Sequence, residues 1–122
     1  MDVRAANLKD ISLDPGAFQP IPTGLCVALP EGFEIQVRSR SGLSAKHGVV
    51  VLNSPGTIDA DYRGEIFVVL INHGDKPFVI ERGTRIAQLV LAKTVQASWS
   101  EVIFFETETQ RGAGGFGSTG LS

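Results

Sequence analysis

Cysteine is nearly missing from this chain. Cys26 stands alone among 122 residues, so neither an intrachain disulfide nor a cysteine-rich zinc site can hold the fold. A lone thiol suits a reducing compartment, and its plainest reading is a small apolar residue in a strand. An excess of positive charge is missing too: 11 Lys and Arg against 13 Asp and Glu leave a net charge of −2, which excludes binding of nucleic-acid backbones through bulk charge. An anionic ligand would have to be held by local arginines, backbone N–H groups or a metal. The longest apolar run, Ile66 to Ile71, falls far below the roughly 20 residues of a spanning helix. No apolar stretch follows Met1-Asp2-Val3-Arg4 as a secretory signal requires. The expected setting is therefore cytoplasmic, with neither a membrane nor a nucleic acid as partner. Histidine is scarce as well: His47 and His73 fall in turns with no second ligand at metal spacing.

What is present fits one domain. A mass of 13.0 kDa scales to about 6,300 Å² of folded surface against about 18,900 Å² unfolded, enough burial for a core without disulfides. Hydrophobic residues make up 43% of the chain and charged residues 20%, a mix slightly short of charge that favours burial in an oligomer. Apolar residues recur at every second position, or in short solid runs broken by Gly, Pro and Asn, which is the pattern of strands. Phe33, Ile35 and Val37 alternate with Glu34, Gln36 and Arg38, whereas Val49 to Leu52 and Ile66 to Ile71 read as strands covered on both faces. Further strands are expected at Phe78 to Ile80, at Ile86 to Ala92 and at about Ser98 to Phe105, and only Gly42 to Gly48 has room for a short helix. The fold class expected is all-β, a jelly-roll-like sandwich or barrel with one short helix. Arg111 to Ser122, rich in Gly, reads on its own as a flexible tail.

Polar constellations that could carry chemistry lie in the tail and in two earlier stretches. The tail holds Gly112, Gly114 and Gly117 in the spacing of a dinucleotide-binding turn, but that turn works by feeding a phosphate into a following helix, and no helical stretch follows Gly117. What remains is a mobile backbone with the guanidinium of Arg111 and the hydroxyls of Ser118 and Thr119 around Phe116: either a plain tail or an arm that covers a phosphate. Arg38-Ser39-Arg40-Ser41-Gly42-Leu43 leaves a strand and enters the helical turn, so that N–H groups and hydroxyls converge beside a guanidinium, as an anion site needs. A capped turn with solvated arginines is the plainer alternative. The stretch from Asn53 to Gly64 is long for a hairpin connection. It gathers a carboxamide, carboxylates and the phenol of Tyr62, groups suited to reading a base, packing on a sugar and orienting water.

In this order the constellations resemble the motifs of the trimeric deoxyuridine triphosphate nucleotidohydrolase (dUTPase) family over essentially the whole chain. Arg40-Ser41-Gly42-Leu43 is similar to the second motif, Leu52-Asn53 through Gly64 to the third, Arg82-Gly83-Thr84-Arg85-Ile86-Ala87-Gln88-Leu89 to the fourth, and Arg111 through Gly120 to the fifth. Met1-Asp2-Val3 matches the last positions of the first, Ala-Gly-x-Asp-Leu, without its Ala-Gly. Family members open with a further strand, so the resemblance implies a chain that lacks its N-terminal strand.

The same resemblance implies hydrolysis of dUTP to dUMP and pyrophosphate, water attacking the α-phosphorus with Mg²⁺ on the triphosphate. Such an activity keeps uracil out of DNA and supplies dUMP for thymidylate synthesis. By matching position Asp59 would be the catalytic base, gaining more from placement than from basicity. By the same resemblance Asn53 would read uracil with backbone groups at Gly56, Thr57 and Ile58, and Tyr62 would pack under the deoxyribose and leave no space for a 2′-hydroxyl. Arg40, Ser41, Gly42 and Gln88 face the phosphates, while Asp2 and Gln88 reach Mg²⁺ through its waters, since that ion sheds its shell reluctantly. Phe116 would stack on the uracil, with Gly117 also among the substrate contacts, and Arg111, Ser118 and Thr119 would close over the terminal phosphates. Residues 1–110 would then form the β domain and 111–122 a Gly-rich arm closing a neighbouring active site. Each site of a homotrimer would draw the first, second and fourth motifs from one subunit, the third from another and the fifth from the last. Two alternatives stand beside this: a non-catalytic deoxynucleotide-binding regulator, and a dCTP deaminase, whose acid/base Glu would fall at Val69, a side chain that moves no proton. Asp61 reads as a loop carboxylate, and Trp99 as packing against a neighbouring subunit.

Overall fold

The alternating segments pair into short antiparallel strands around one core in the computed structural model, which describes residues 1–120. Leu121 and Ser122, the end of the expected arm, lie outside the described residues. In chain order the elements are β1 (Asp2–Arg4), β2 (Ile11–Leu13), β3 (Phe18–Pro22), β4 (Phe33–Arg38), α1 (Ser41–His47), β5 (Val49–Val51), β6 (Gly56–Ile58), β7 (Phe67–Asn72), β8 (Phe78–Ile80) and β9 (Arg85–Lys93). They build a four-stranded sheet in the order β1-β9-β4-β6, a three-stranded sheet β3-β7-β5 and the pair β2-β8. Inward side chains from all three sheets, among them Val3, Leu13, Ile21, Val37, Val68, Leu70, Ile80 and Ile86, meet in a single hydrophobic cluster. This is the all-β sandwich with one short helix that the sequence predicts.

Strand β4 follows its alternation: Ile35 and Val37 are buried and Arg38 is exposed. The solid runs behave differently from expectation. In β7 Val68, Leu70 and Asn72 are buried, but Phe67 is exposed and Val69 and Ile71 are only partly covered. The core therefore covers one face of this sheet, and the other, with Phe18 of β3 opposite Ile71, stays open in the single chain. Four strands, β1, β2, β3 and β6, carry no clear sequence signal. Strand β3 contains Pro20 and Pro22 and pairs only with β7, which works because an edge strand needs no N–H on its free side. Strand β6 lies inside the polar stretch that reads as a loop.

The helix ends at Gly48, which takes the left-handed conformation (φ 67°) and donates its N–H to the Leu43 and Ser44 carbonyls. Lys46 and His47 in its last turn complement the helix dipole. Two further expectations are overturned. The segment Ser98 to Phe105 forms no strand; Trp99 is 99% and Ile103 101% exposed, because neither a partner strand nor a core surface reaches them within the chain. Cys26 is exposed in the connection between β3 and β4 rather than packed in a strand.

Candidate active site

Cross-strand pairing assembles the first group of side chains. Asp2 of β1 faces Gln88 of β9, and Gln88 in turn faces Arg38 of β4. The chain then leaves β4 and places Arg40 at the start of α1, where its guanidinium donates to the Arg85 carbonyl (3.0 Å) and its Nε lies 3.8 Å from Asp2 Oδ1. Arg85 Nη1 donates to Asp2 Oδ2 at 3.2 Å, and Gln88 Nε2 reaches Asp2 Oδ1 at 3.4 Å. Desolvation raises the pKa of the Asp2 carboxyl, but the Gln88 hydrogen bond, the Arg40 charge and the bond and charge of Arg85 outweigh it and hold the group below 3.8. The structure thus brings together Asp2, Arg40 and Gln88, with Ser41 and Gly42 opening the helix beside them. Arg40 precedes the helix in an extended conformation without a side-chain cap, and Ser39 accepts the Val51 N–H at 2.9 Å. Two guanidinium groups, Arg40 and Arg85, converge on a single carboxylate, which suits the binding of a polyanion.

Strand β6 and the turn after it assemble the second group. Gly56 is buried against β4: a Cβ there would lie 3.0 Å from Val37 Cβ and 3.4 Å from Asn53 Nδ2, so the Asn53 carboxamide sits directly over it. Thr57 and Ile58 follow in the strand, and Asp59 emerges exposed at its end, where its carbonyl accepts the Tyr62 N–H at 3.2 Å. The Tyr62 phenol donates to the Glu65 carbonyl at 2.7 Å. A pocket of about 230 Å³ is lined by Thr57, Ile58, Asp59, Tyr62, Glu65, Ile66 and Phe67. Asp59 also borders a second pocket of about 500 Å³, together with Glu34, Asp61 and Arg63. Asp59 therefore borders both cavities, whereas Arg63 is spent on the Ala60 and Tyr62 carbonyls.

The two groups do not meet in one chain. Ile58 faces Ile35, so Asp59 comes level with Glu34 at the start of β4, whereas Gln88 faces Arg38 at its end. Strand rise and strand spacing put the Asp59 and Gln88 backbones about 16 Å apart, too far to act at one phosphorus atom. The expected arm is not brought to either group. Among the described residues, Arg111 bonds to the Gly114 carbonyl, Ser118 N–H to Gly115 and Gly120 N–H to Gly117, all within the segment. Phe116, with φ 51°, is fully exposed.

A dUTPase family model matches residues 2–120. The chain belongs to the dUTPase family. The dUTPase of Rickettsia prowazekii is 60% identical over 121 residues, a match spanning 99% of this chain and 81% of that protein. The dUTPase of Rickettsia bellii is likewise 60% identical, over 99% of this chain and 80% of its own. The solved dUTPase of Staphylococcus bacteriophage 80alpha with dUpNHpp superposes with a TM-score of 0.87 at 28% identity, over 98% of this chain and 85% of the phage chain. For a dUTPase site, the sequence reading leaves two residues without a role: Arg85, which holds Asp2, and Glu65, which receives the Tyr62 phenol. Arg85 is hidden by a register shift between Val3 and Arg4. Ile86 and Ala87 are both buried, so Arg85 and Gln88 share the outer face despite a spacing that regular alternation forbids.

Proposed function

We propose that this chain hydrolyses dUTP to dUMP and pyrophosphate with Mg²⁺ as cofactor, and that Asp59 is its base. The observation that carries this reading is Asp59 bordering two pockets, one of them shared with Tyr62, in a family member matched through residues 2–120. Water held by Asp59 attacks the α-phosphorus, the bond to the bridging oxygen breaks, pyrophosphate leaves and Asp59 takes the proton. Placement of that water supplies most of the gain. The Asn53 carboxamide, seated over Gly56, complements one edge of uracil; cytosine would set donors against donors at a cost of about 1–3 kcal/mol for each stranded group. Tyr62 packs under the deoxyribose and fills the space of a 2′-hydroxyl.

The donor set on the other side fits Mg²⁺. Asp2 offers one exposed carboxylate and Gln88 a carboxamide, and the described residues hold no cluster of three or more His, Cys, Asp or Glu. An ion that keeps several waters and leans on one or two carboxylates plus substrate phosphates needs no more. Bound with the triphosphate, it neutralises charge and polarises phosphoryl oxygens. Arg40, Ser41 and Gln88 hold the phosphates.

The functional unit is a homotrimer whose sites are shared. Support comes from the separation of Asp59 from Gln88, from the exposed segment after β9 and from the open face of the β3-β7-β5 sheet. The Gly-rich arm from Arg111, following a β domain of residues 1–110, closes a neighbouring site: Phe116 and Gly117 on the uracil, Arg111, Ser118 and Thr119 on the phosphates. No helix among the described residues is long and apolar enough to cross a membrane, and in a cytoplasmic setting the exposed Cys26 thiol stays reduced.

Pyrophosphate release from dUTP, dCTP, dTTP and UTP in the presence of Mg²⁺ tests the reading. Release from dUTP alone is expected, reduced by about 10²–10⁴-fold in Asp59→Asn. Ammonia release from dCTP, or tight binding of dUTP without turnover, would overturn it.

A further inference from the structure

The Tyr62 ring lies folded back on its own chain. A Cβ at Gly64 would stand 2.5 Å from the phenol oxygen and 2.7 Å from Cζ, so the ring rests directly on the Gly64 backbone, and its hydroxyl is clasped by the Glu65 carbonyl at 2.7 Å. The position of the ring is therefore the position of residues 64 and 65. These precede β7 and belong to no strand themselves, so something else must fix them.

That something is a segment about forty positions earlier in the chain. The Glu65 carboxylate accepts the Gly24 N–H at 3.0 Å, the buried Thr23 hydroxyl donates to the Ile66 carbonyl at 2.6 Å, and the Ile66 N–H donates to the Leu25 carbonyl at 2.8 Å. Thr23 also accepts the Leu25 N–H at 3.3 Å, and Gly24 adopts φ +69°, the left-handed turn that presents its N–H to Glu65. Glu65 thus joins two roles: its carbonyl holds the phenol and its carboxylate anchors that carbonyl to the Thr23–Leu25 turn through a charge-assisted bond.

We propose that Glu65 is a positioning residue for sugar discrimination, holding Tyr62 in place from the Thr23–Leu25 turn. The proposal rests on the reading of Tyr62 as the group that excludes a 2′-hydroxyl. A ring that must block one hydroxyl has to be held within a fraction of an ångström, and loosening its seat admits the larger sugar before it impairs the chemistry.

The test is the ratio of kcat/KM for dUTP to that for UTP in the full chain. Glu65→Ala, and Glu65→Asp, which is too short to reach Gly24, lower this ratio about tenfold, the effect of one well-made hydrogen bond. Glu65→Gln, which still accepts the Gly24 N–H, keeps it. In a Tyr62→Phe background Glu65→Ala has a smaller effect on the ratio, because the phenol bond is gone and only the seat of the ring on Gly64 remains. An unchanged ratio in Glu65→Ala and Glu65→Asp, or a full additive loss in the Tyr62→Phe background, overturns the proposal while leaving the reading of Tyr62 intact. A wild-type chain that hydrolyses UTP as well as dUTP overturns both.

Discussion

Asn72 is fully buried and its side chain makes three hydrogen bonds to the surrounding backbone: Nδ2 donates to the Leu13 and Lys76 carbonyls at 2.8 Å each, and Oδ1 accepts the Gly74 N–H at 2.8 Å. Removing it strands three backbone groups. Asn72→Ala should therefore destabilise the protein by about 2–4 kcal/mol, read from denaturant midpoints at one fixed protein concentration; a loss below about 1 kcal/mol would contradict the network. Asp2 makes a prediction of a different kind. Its folded pKa is depressed, so its contribution to stability is complete above 3.8 and is lost as pH falls through the lower folded value. A carbon-detected titration of the Asp2 carboxyl should show a midpoint below 3.8, and Arg85→Ala should move it upward; a midpoint at or above 3.8 would mean that the arginines do not hold it.

At the scale of elements, legibility follows from how much of an element's environment lies in its own sequence. Strand β4 announces itself because Ile35 and Val37 face the core while Gln36 and Arg38 do not, and α1 because it starts and stops between Ser41 and Gly48. Strands β1, β2 and β6 span three residues each, too short for a period; β1 and β6 form against the longer β9 and β4, and β2 against the equally short β8. Strand β3 hides behind its prolines, which only its edge position tolerates. The segment from Ser98 to Phe105 fails in the opposite sense: its apolar residues read as a strand, yet nothing in the chain receives them. The site divides the same way. Asp59, Asn53 and Tyr62 stand within one stretch and can be read together, whereas the parts played by Arg85 and Glu65 depend on a bulge and on a distant turn. If a neighbouring subunit takes up the segment after β9, Trp99 leaves water. Its emission should then be blue-shifted in the native protein and move to the red when the assembly is dissociated. Emission of a fully hydrated indole in the assembled protein would contradict this.

The whole molecule carries more surface than its mass explains. A single chain exposes 9149 Å², against about 6,300 Å² for a compact monomer of its size. The difference, about 2,800 Å², matches what permanent assemblies bury. Residues after β9, among them Trp99, Ile103 and Phe116, and the Phe18 and Phe67 side of the β3-β7-β5 sheet are exposed in the single chain. The separation of Asp59 from Gln88 gives the same answer from chemistry: a site that needs both must borrow one from another copy. A trimer should sediment at about three chain masses, but mass alone does not tell whether sites are shared. The direct test is complementation. Asp59→Asn, with its arm intact, and a chain ending at Gln110, with its base intact, should each fail to release pyrophosphate from dUTP. Co-expressed in equal amounts, they should recover about a quarter of wild-type activity, since each mixed trimer rebuilds one of its sites from an intact base and an intact arm. Activity no higher than that of either variant alone would contradict the shared site.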